Sequence, residues 1–376
     1  MAEPDKQALF DKAKSYSRIK YTLAIADTLY LLALIVLFLK LGLSTALAGS
    51  LVALVKPGYL VFPAYLLVIL VLSYLFTFPL IFYRSFILEH KFALTNQKVS
   101  AWLVDQLKVG ILSYLVGVIL FGAFYYVLRH NPRTWWFIIA LFWMCFSLLM
   151  AKILPVVIIP LFFKYKRLED TALRVRIAKL AEGMLVKILD VFEIDFSKKT
   201  LKANAAFVGW GRTRRVILAD TLKDKYSYDE IEVILAHEFA HYRMKHLWKL
   251  ILANALTTLA LFYLIFVTNA GFLNFFSLGS LENTAAFPLI IMYMTIFGII
   301  MQPLENFLSR RFEKNADIAA LQATKKKEAF ISMMEKLSDQ NLSDRTPHPV
   351  IKFFFFDHPP AAERIKLAQS VIFYRQ

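Results

Sequence analysis

Long apolar runs, separated by polar segments, dominate the pattern of the chain. A helix that crosses a bilayer needs roughly 20 mostly apolar residues. Six such runs predict six membrane spans, at 22–42, 59–83, 109–128, 135–153, 250–270 and 286–304. The fourth run continues past Lys152 with Pro155 and Pro160 inside it, and we expect this helix to project beyond the membrane. The polar N-terminal segment lacks the apolar core of a removable signal peptide.

Polar residues are concentrated in two long segments that the last two spans separate. The pattern divides the chain into four parts: a membrane region of about four spans, a first polar segment, two further spans and a C-terminal polar segment, at 1–163, 164–249, 250–304 and 305–376. We therefore predict a mainly α, polytopic membrane protein that carries an α+β domain outside the bilayer.

Lysine and arginine mark one side of the membrane. They are frequent in the N-terminal segment, in the loops after the second and fourth spans and in the C-terminal tail. They are scarce in the loops after the first and fifth spans. Because cytoplasmic loops carry the excess of positive charge, we expect both termini in the cytoplasm. The segments 164–249 and 305–376 then lie on the same, cytoplasmic side and can join.

The composition excludes several classes of protein. Apolar residues make up 58% of the 376 positions, which excludes a disordered chain. Cys145 is the only cysteine, so no intrachain disulfide can form. The net charge of +16 is explained by the basic loops, and we expect a lipid bilayer but no nucleic acid among the partners.

A capped helix is predicted just before the fifth span. Ser227 and Glu230 have the spacing of a capping box, and apolar residues follow at helical spacing. On this helix His237 and His241 lie one turn apart on the same face. Two imidazoles so placed can bind one Zn²⁺, and Glu238 between them can reach a water on the metal.

This His-Glu-x-x-His pattern also arises by chance, in on the order of one chain in a hundred of this length. A third ligand downstream favours the metal site. Glu313 and Asp317 lie one turn apart on a polar helix beyond the last span. Alone, such a pair is typical of a solvated face, but the two-histidine helix is expected on the same membrane side. Two histidines and one glutamate leave a fourth zinc position for water, and Asp317 can hydrogen-bond a ligand imidazole.

The order of these motifs resembles the integral-membrane gluzincin metallopeptidases, the family of the CAAX prenyl endopeptidases and the HtpX-type heat-shock proteases. The similarity to the type I prenyl endopeptidase branch covers most of the chain. Besides the two-histidine helix, it rests on segments 84–92, 102–108, 204–222, 309–317 and 358–365. The chain departs from the family pattern in three ways. It lacks the additional first span of eukaryotic members. Lys314 and Asn315 replace the family's usual Tyr-Gln, and Asp357 stands where Ser or Thr is commoner.

The resemblance implies a cytoplasm-facing α+β zinc metallopeptidase domain of gluzincin type with one Zn²⁺ per chain. His237, His241 and Glu313 would bind the zinc ion. Glu238 would act as general base and later as general acid, and Asp317 would orient a ligand.

The resemblance also implies residues that contact the substrate. His358 and Arg364 would stabilise the oxyanion or the substrate carbonyls. Asn204 and Ala205 would lie on a strand edge that faces the substrate backbone. Segment 205–219 has the pattern of a hairpin, and an exposed edge there could pair with an extended peptide. The remaining histidines are expected to be surface or structural residues: His90, His130, His246 and His348.

The sequence thus predicts a zinc endopeptidase for peptide or protein substrates at the membrane, with isoprenylated peptides among them. A quality-control protease of HtpX type is the first alternative. A transporter or scaffold with a vestigial metal site is disfavoured by the intact ligand set. The chain length favours a bacterial inner membrane, and a eukaryotic source would imply the endoplasmic reticulum. Neither the oligomeric state nor the physiological substrate follows from the sequence.

Overall fold

The structure is a computed structural model that describes residues 3–209 and 214–372, with side chains described from Gln7 onward. Its helices are α1 (Glu3–Lys40), α2 (Leu43–Leu54), α3 (Val61–Phe82), α4 (Leu88–Lys91), α5 (Val99–His130), α6 (Trp135–Ile153), α7 (Ile159–Phe162), α8 (Thr171–Gly183), α9 (Asp220–Lys223), α10 (Tyr228–Arg243), α11 (His246–Phe275), α12 (Phe287–Thr324), α13 (Lys327–Gln340), α14 (Pro349–Phe355) and α15 (Ala361–Ser370). Its strands are β1 (Tyr165–Arg167), β2 (Val191–Ile194), β3 (Ala205–Val208) and β4 (Arg215–Ala219).

Six helical rods in the described ranges are long and apolar enough to cross a membrane, which confirms the predicted number of spans. They are Gln7–Lys40, Gly58–Lys91, Val99–His130, Trp135–Phe162, His246–Phe275 and Thr284–Thr324. The fourth rod extends beyond the apolar run as expected, through a π-helical turn at Leu154–Ile158 that contains Pro155. Such a wide turn accommodates the missing proline N–H without ending the helix.

The spans share one apolar core. Tyr65 of α3, Phe124 of α5 and Phe262 of α11 are at most 1% exposed at its centre. Many large apolar side chains elsewhere on the spans point outward, for example Leu29 and Leu75. An apolar outer surface of this kind suits contact with lipid, because acyl chains replace water around it.

A second core lies outside the spans and joins the two polar segments. It contains buried residues of α8, α10, the C-terminal part of α12, α13 and α15, together with β2 and β4. The segments 164–249 and 305–376 therefore pack together, although α11 and the first part of α12 separate them along the chain. The boundaries of the four predicted parts stay predictions.

A four-stranded sheet borders this second core. Its order is β1-β2-β4-β3, with β2 and β4 parallel and the two outer pairs antiparallel. Ala205 pairs with Leu218 and Val208 with Arg215, so the predicted hairpin is confirmed. Its turn includes residues 210–213, which lie outside the described residues.

Candidate active site

Helix α10 carries both histidines of the motif, and its own side chains fix its start. The Ser227 hydroxyl accepts a hydrogen bond from the Glu230 backbone N–H at 3.3 Å. The Glu230 carboxylate accepts one from the Ser227 N–H at 2.7 Å. This is the predicted capping box, which satisfies backbone donors at the helix start. The inner face of the helix is buried at Ile231, Ile234 and Leu235.

His237, His241 and Glu313 form one cluster. The Nε2 atoms of the two histidines lie 3.0 Å apart. Glu313 reaches them from α12, with Oε2 at 3.1 Å from His237 Nε2 and Oε1 at 3.1 Å from His241 Nε2. The i and i+4 spacing on α10 supplies two of these groups, and the packing of α12 against α10 supplies the third.

The donor atoms of this cluster fit a zinc ion. One ligand atom from each residue lies within 4.8 Å of the other two. His237 donates its Nδ1–H to Asp317 Oδ1 at 2.9 Å, so its Nε2 presents a lone pair to the cluster. Glu313 Oε2 is buried and has no hydrogen-bond partner among the described residues. Converging lone pairs repel one another unless a cation lies between them, and two histidines with one glutamate form a known catalytic zinc set.

The surroundings of His237 attract positive charge. Burial disfavours its protonated form, but the hydrogen bond to Asp317 and the nearby Glu313 carboxylate outweigh burial and raise the pKa of His237 to about 9. A metal cation and a proton would compete for the same lone pair. The cluster therefore has the electrostatics of a cation site.

Asp317 is fully buried and is held from its other side by Arg364. The Arg364 guanidinium donates from Nε to Oδ2 at 2.8 Å and from Nη2 to Oδ1 at 2.5 Å. A bidentate pair of this kind fixes the plane of the carboxylate. Asp317 is thereby fixed beside His237, and Arg364 has a partner that the sequence did not predict.

His246 is a residue of the site that sequence reasoning left outside it. It is only 1% exposed, its ring stacks on Phe312, and its Nδ1 lies 3.0 Å from Nδ1 of His241. For His241 Nε2 to keep a lone pair for a metal, the Nδ1 of His241 must carry the proton and donate it to His246. The chain reverses at Lys245, whose φ is 56°, and a lysine gives no sequence signal for such a reversal.

A cleft of about 230 Å³ lies beside the cluster. Five of the predicted catalytic and substrate-binding residues line it together with His237: Glu238, His358, Arg364, Asn204 and Ala205. Glu238 is partly exposed, in contrast to its buried neighbours on α10. The fold thus brings the predicted catalytic and substrate-binding residues, from three separate parts of the chain, to one small opening.

His358 lies at the rim of this opening. Its Nδ1 donates a hydrogen bond to Asp357 at 2.8 Å, its Nε2 lies 3.4 Å from Glu313 Oε2, and half of its side chain is exposed. Burial of the ring disfavours its charge, but the Asp357 and Glu313 carboxylates outweigh burial and raise the pKa of His358. Asp357, one of the departures from the family pattern, therefore orients this imidazole.

Strand β3 offers an open backbone edge to the cleft. Ala219 donates its N–H to the Asn204 carbonyl at 3.0 Å, which makes positions 204 and 219 a hydrogen-bonded pair. Because bonded and non-bonded pairs alternate in an antiparallel ladder, the backbone groups of Ala205 and Phe207 point away from β4. No other described strand pairs with this edge.

Comparisons with known proteins agree with this geometry. Residues 2–164 match the family model for the CAAX prenyl protease N-terminal region with five membrane helices. Residues 167–372 match the model for peptidase family M48. The crystal structure of S. mikatae Ste24p superposes with a TM-score of 0.87 at 28% identity, over 96% of this chain and 89% of that chain.

Proteins of other organisms are similar to most of this chain. CAAX prenyl protease 1 of Saccharomyces cerevisiae is 31% identical over 385 residues, which cover 95% of this chain and 84% of the relative. The CAAX prenyl protease 1 homolog of Homo sapiens is 24% identical, over 81% of this chain and 74% of the relative. The uncharacterized metalloprotease YhfN of Bacillus subtilis is 29% identical, over 74% of this chain and 66% of the relative. The chain therefore belongs to peptidase family M48 and is a multi-pass membrane metalloendopeptidase with the fold of Ste24p.

Proposed function

We propose that this metalloendopeptidase is a zinc enzyme that hydrolyses peptides held at the membrane, isoprenylated peptides ending in Cys-a-a-X among them. The observation that carries the proposal is the cluster of His237, His241 and Glu313 beside a cleft lined by Glu238 and an open strand edge. We infer from the basic loops that the cleft faces the cytoplasm.

Each of the surrounding side chains has a task in peptide hydrolysis. When bound, zinc supplies Lewis-acid activation of a water molecule and of the scissile carbonyl. Glu238 takes a proton from that water and later delivers one to the leaving amine. His358 donates a hydrogen bond to the negative charge that develops on the carbonyl oxygen. Arg364 holds Asp317, which keeps His237 in the tautomer that binds a metal.

The substrate backbone would add a strand to the sheet. An extended peptide beside β3 can exchange hydrogen bonds with the outward N–H and C=O groups of Ala205 and Phe207. Asn204, which is exposed at the start of the strand, is in reach of the same peptide. Recognition through the backbone tolerates many side chains, so sequence preference would come from the walls of the cleft.

The substrate class is proposed from the relatives and from the location of the site. The similar proteins of Saccharomyces cerevisiae and Homo sapiens bear the name CAAX prenyl protease 1 or its homolog. A prenyl group partitions into lipid, and Glu313 follows the predicted span 286–304 on the same helix, α12. A lipidated peptide could therefore keep its prenyl group in the bilayer while its backbone enters the cleft.

The decisive experiment compares two peptides with one purified protein. A farnesylated Cys-a-a-X peptide and its unlipidated twin are incubated with the zinc-loaded protein, and the cleavage site is read by mass spectrometry. Preferential cleavage of the farnesylated peptide supports the proposal. Equal cleavage of both would favour the quality-control protease instead.

Glu238→Gln tests the mechanism in the same assay. The amide keeps the size of the side chain but cannot take a proton, so we expect kcat to fall by about 10²–10⁴ while zinc content stays at one per chain. Glu305→Gln, on a span-forming helix and outside the cleft, is the matched control and should cleave at the parental rate. A Glu238→Gln protein as active as the parent would contradict the assigned role.

A further inference from the structure

A second cavity, of about 870 Å³, lies at the opposite end of the spans from the metal cluster. Its walls are one side of α2, the start of α3, the C-terminal half of α5 and the start of the last span. Thr284 lines the cavity and Glu313 lies in the cluster, at opposite ends of about 44 Å of helix. The two sites therefore face opposite surfaces of the membrane.

The cavity exists because small residues occupy two facing helices. Gly49 of α2 and Gly122 of α5 both line it, and a Cβ added at either position would meet no atom within 4 Å. On α5, Val118, Gly122 and Arg129 follow one another along the same face at helical spacing. The result is a cavity between helices that is lined by apolar side chains such as Val118 and by the cations Lys56 and Arg129, which define its mouth.

The charges at this mouth are all of one sign. Lys56 and Arg129 line the cavity, and no aspartate or glutamate does. Arg129 donates a hydrogen bond to the Glu282 backbone carbonyl at 3.3 Å, and its guanidinium lies 5.9 Å from the ring of Tyr125. Neither Lys56 nor Arg129 has a carboxylate partner within residues 3–209 and 214–372. An anionic group can therefore enter without displacing an ion pair.

A buried hydroxyl gives a second, independent sign of a polar ligand. Tyr125 lines the cavity and is only 3% exposed, and its hydroxyl lacks a hydrogen-bond partner among the described residues. Buried hydroxyls are normally paired. A ligand oxygen in the cavity would supply the missing partner.

We propose that this cavity binds one anionic phospholipid. Its phosphate lies between Lys56 and Arg129, and its acyl chains run along the apolar wall formed by Val52, Val61 and Val118. The volume lies within the range of small-molecule sites, and a guanidinium and an ammonium group form strong charge-assisted hydrogen bonds to a phosphate. Scattered interfacial lysines and arginines also attract head groups, but without an enclosed apolar wall they select no single lipid molecule.

Thermal unfolding of the full-length protein in detergent tests the charge requirement. Phosphatidylglycerol should raise Tm by several degrees more than phosphatidylcholine with the same acyl chains, because a ligand of the folded state stabilises it. The Lys56→Gln/Arg129→Gln protein should lose this difference. Arg133→Gln, which removes an exposed cation near the same membrane surface but outside the cavity, should keep it. Inorganic phosphate and glycerol phosphate at equal concentration should give no rise.

A neutral substitution tests the cavity itself. Gly122→Leu fills it without changing charge and should abolish retention of phosphatidylglycerol, counted per chain by native mass spectrometry. Gly110→Leu on the same helix, where added side-chain atoms also meet open space but outside the cavity, should retain the lipid. Equal shifts with both lipids, or retention that survives Gly122→Leu, overturn the proposal. A full shift with inorganic phosphate alone overturns the lipid as the occupant.

Discussion

The two histidines of the cluster contact chemically different partners. His237 donates its Nδ1–H to the Asp317 carboxylate, whereas His241 has the imidazole of His246 at its Nδ1. A carboxylate partner makes the first imidazole more basic, and a neutral imidazole fixes the second mainly by geometry. We therefore propose that His246 positions His241 and does not itself bind the metal.

Replacing His246 with Phe should weaken zinc binding by about 10- to 100-fold. The new ring fills the buried space beside Phe312 but cannot accept the hydrogen bond from His241, so the ligand loses its fixed orientation. Zinc affinity is measured by competition with a chromophoric chelator. His90→Phe, at an exposed position whose ring contacts its own helix, is the control. Unchanged affinity in the His246 variant would rule out the positioning role.

Local spacing decides how much of the site can be predicted from sequence. His237, His241 and Glu238 share one helical turn, and Glu313 and Asp317 share another, so each pair is visible in the chain as i and i+4 or as neighbours. His246 and Arg364 enter through contacts that depend on a chain reversal at Lys245 and on the docking of α15. No periodicity encodes such contacts, because they arise only when separate elements pack.

Strand β3 has one backbone edge paired with β4 and one open edge, which we propose binds the substrate. Ala206 is a hydrogen-bonded partner of β4 by the alternation that starts at Asn204, and Ala205 faces the open edge. The two neighbouring alanines therefore allow the two roles to be separated with the same substitution.

Ala205→Pro should lower kcat/KM by about tenfold, chiefly through a higher KM, with Tm unchanged. Proline removes one outward N–H, worth about 1 kcal/mol or more as a hydrogen bond to substrate, and proline is tolerated where the strand N–H faces outward. Ala206→Pro removes a ladder bond instead and should lower Tm. Peptide cleavage and thermal unfolding of both variants check this pair, and an Ala205→Pro protein with parental KM would exclude the edge as the binding strand.

Glu230 of the α10 capping box also binds this helix to α13. Glu230 is only 2% exposed, and its carboxylate accepts hydrogen bonds from Ser332 at 2.6 Å and from Lys336 at 2.7 Å. Burial disfavours the charge, but Lys336, Ser332 and the Ser227 N–H outweigh it and lower the pKa of Glu230 below its usual value of 4.5. Tyr226 stands nearby and stays neutral, because burial and Glu230 raise its pKa.

Because the folded-state pKa of Glu230 is lowered, its stabilising effect is present above about pH 4.5 and disappears as the pH falls further. At pH 7 the parent should be more stable than Glu230→Gln by about 1–2 kcal/mol, and the difference should shrink below pH 4.5. Tm is compared across pH for both proteins after metal removal, so that titration of the zinc ligands cancels. A difference that grows in acid would refute this assignment.

The apolar runs predict where each span lies but not where each helix ends. The first run begins at residue 22, whereas α1 begins at Glu3. The additional turns are stabilised by contacts with distant residues: Ala13 and Tyr16 pack with Leu88, Phe92, Leu94 and Leu342. The length of an apolar run reflects the thickness of the bilayer. It does not indicate that residues before the run will pack against the C-terminal segment.

The cluster of His237, His241 and Glu313 joins the two polar segments of the chain, which the last two spans separate. His237 and His241 belong to α10 and Glu313 to α12, and all three lie at the second core. Metal binding should therefore stabilise the joined domain and not only the cleft.

Removing the metal with a chelator should lower the Tm of the domain, and Zn²⁺ should restore it. At a free concentration 1,000 times Kd the stabilisation is about 4 kcal/mol. In the Glu313→Gln protein the same chelator should lower Tm much less, because one of the three proposed metal ligands is lost. Differential scanning fluorimetry of both proteins measures this, and equal chelator effects would show that Glu313 is not a ligand.

The last span is a nearly uninterrupted rod from Thr284 to Thr324, and this sets a rule for insertions and deletions. Each residue added to an α-helix turns everything beyond it by 100° and advances it by about 1.5 Å. One residue added at the membrane centre would rotate Glu313 away from the two histidines. Seven would nearly restore its direction but displace it by about 10 Å. The number of residues between the lipid core and Glu313 should thus be fixed among active relatives, even where the identity of every lipid-facing side chain varies.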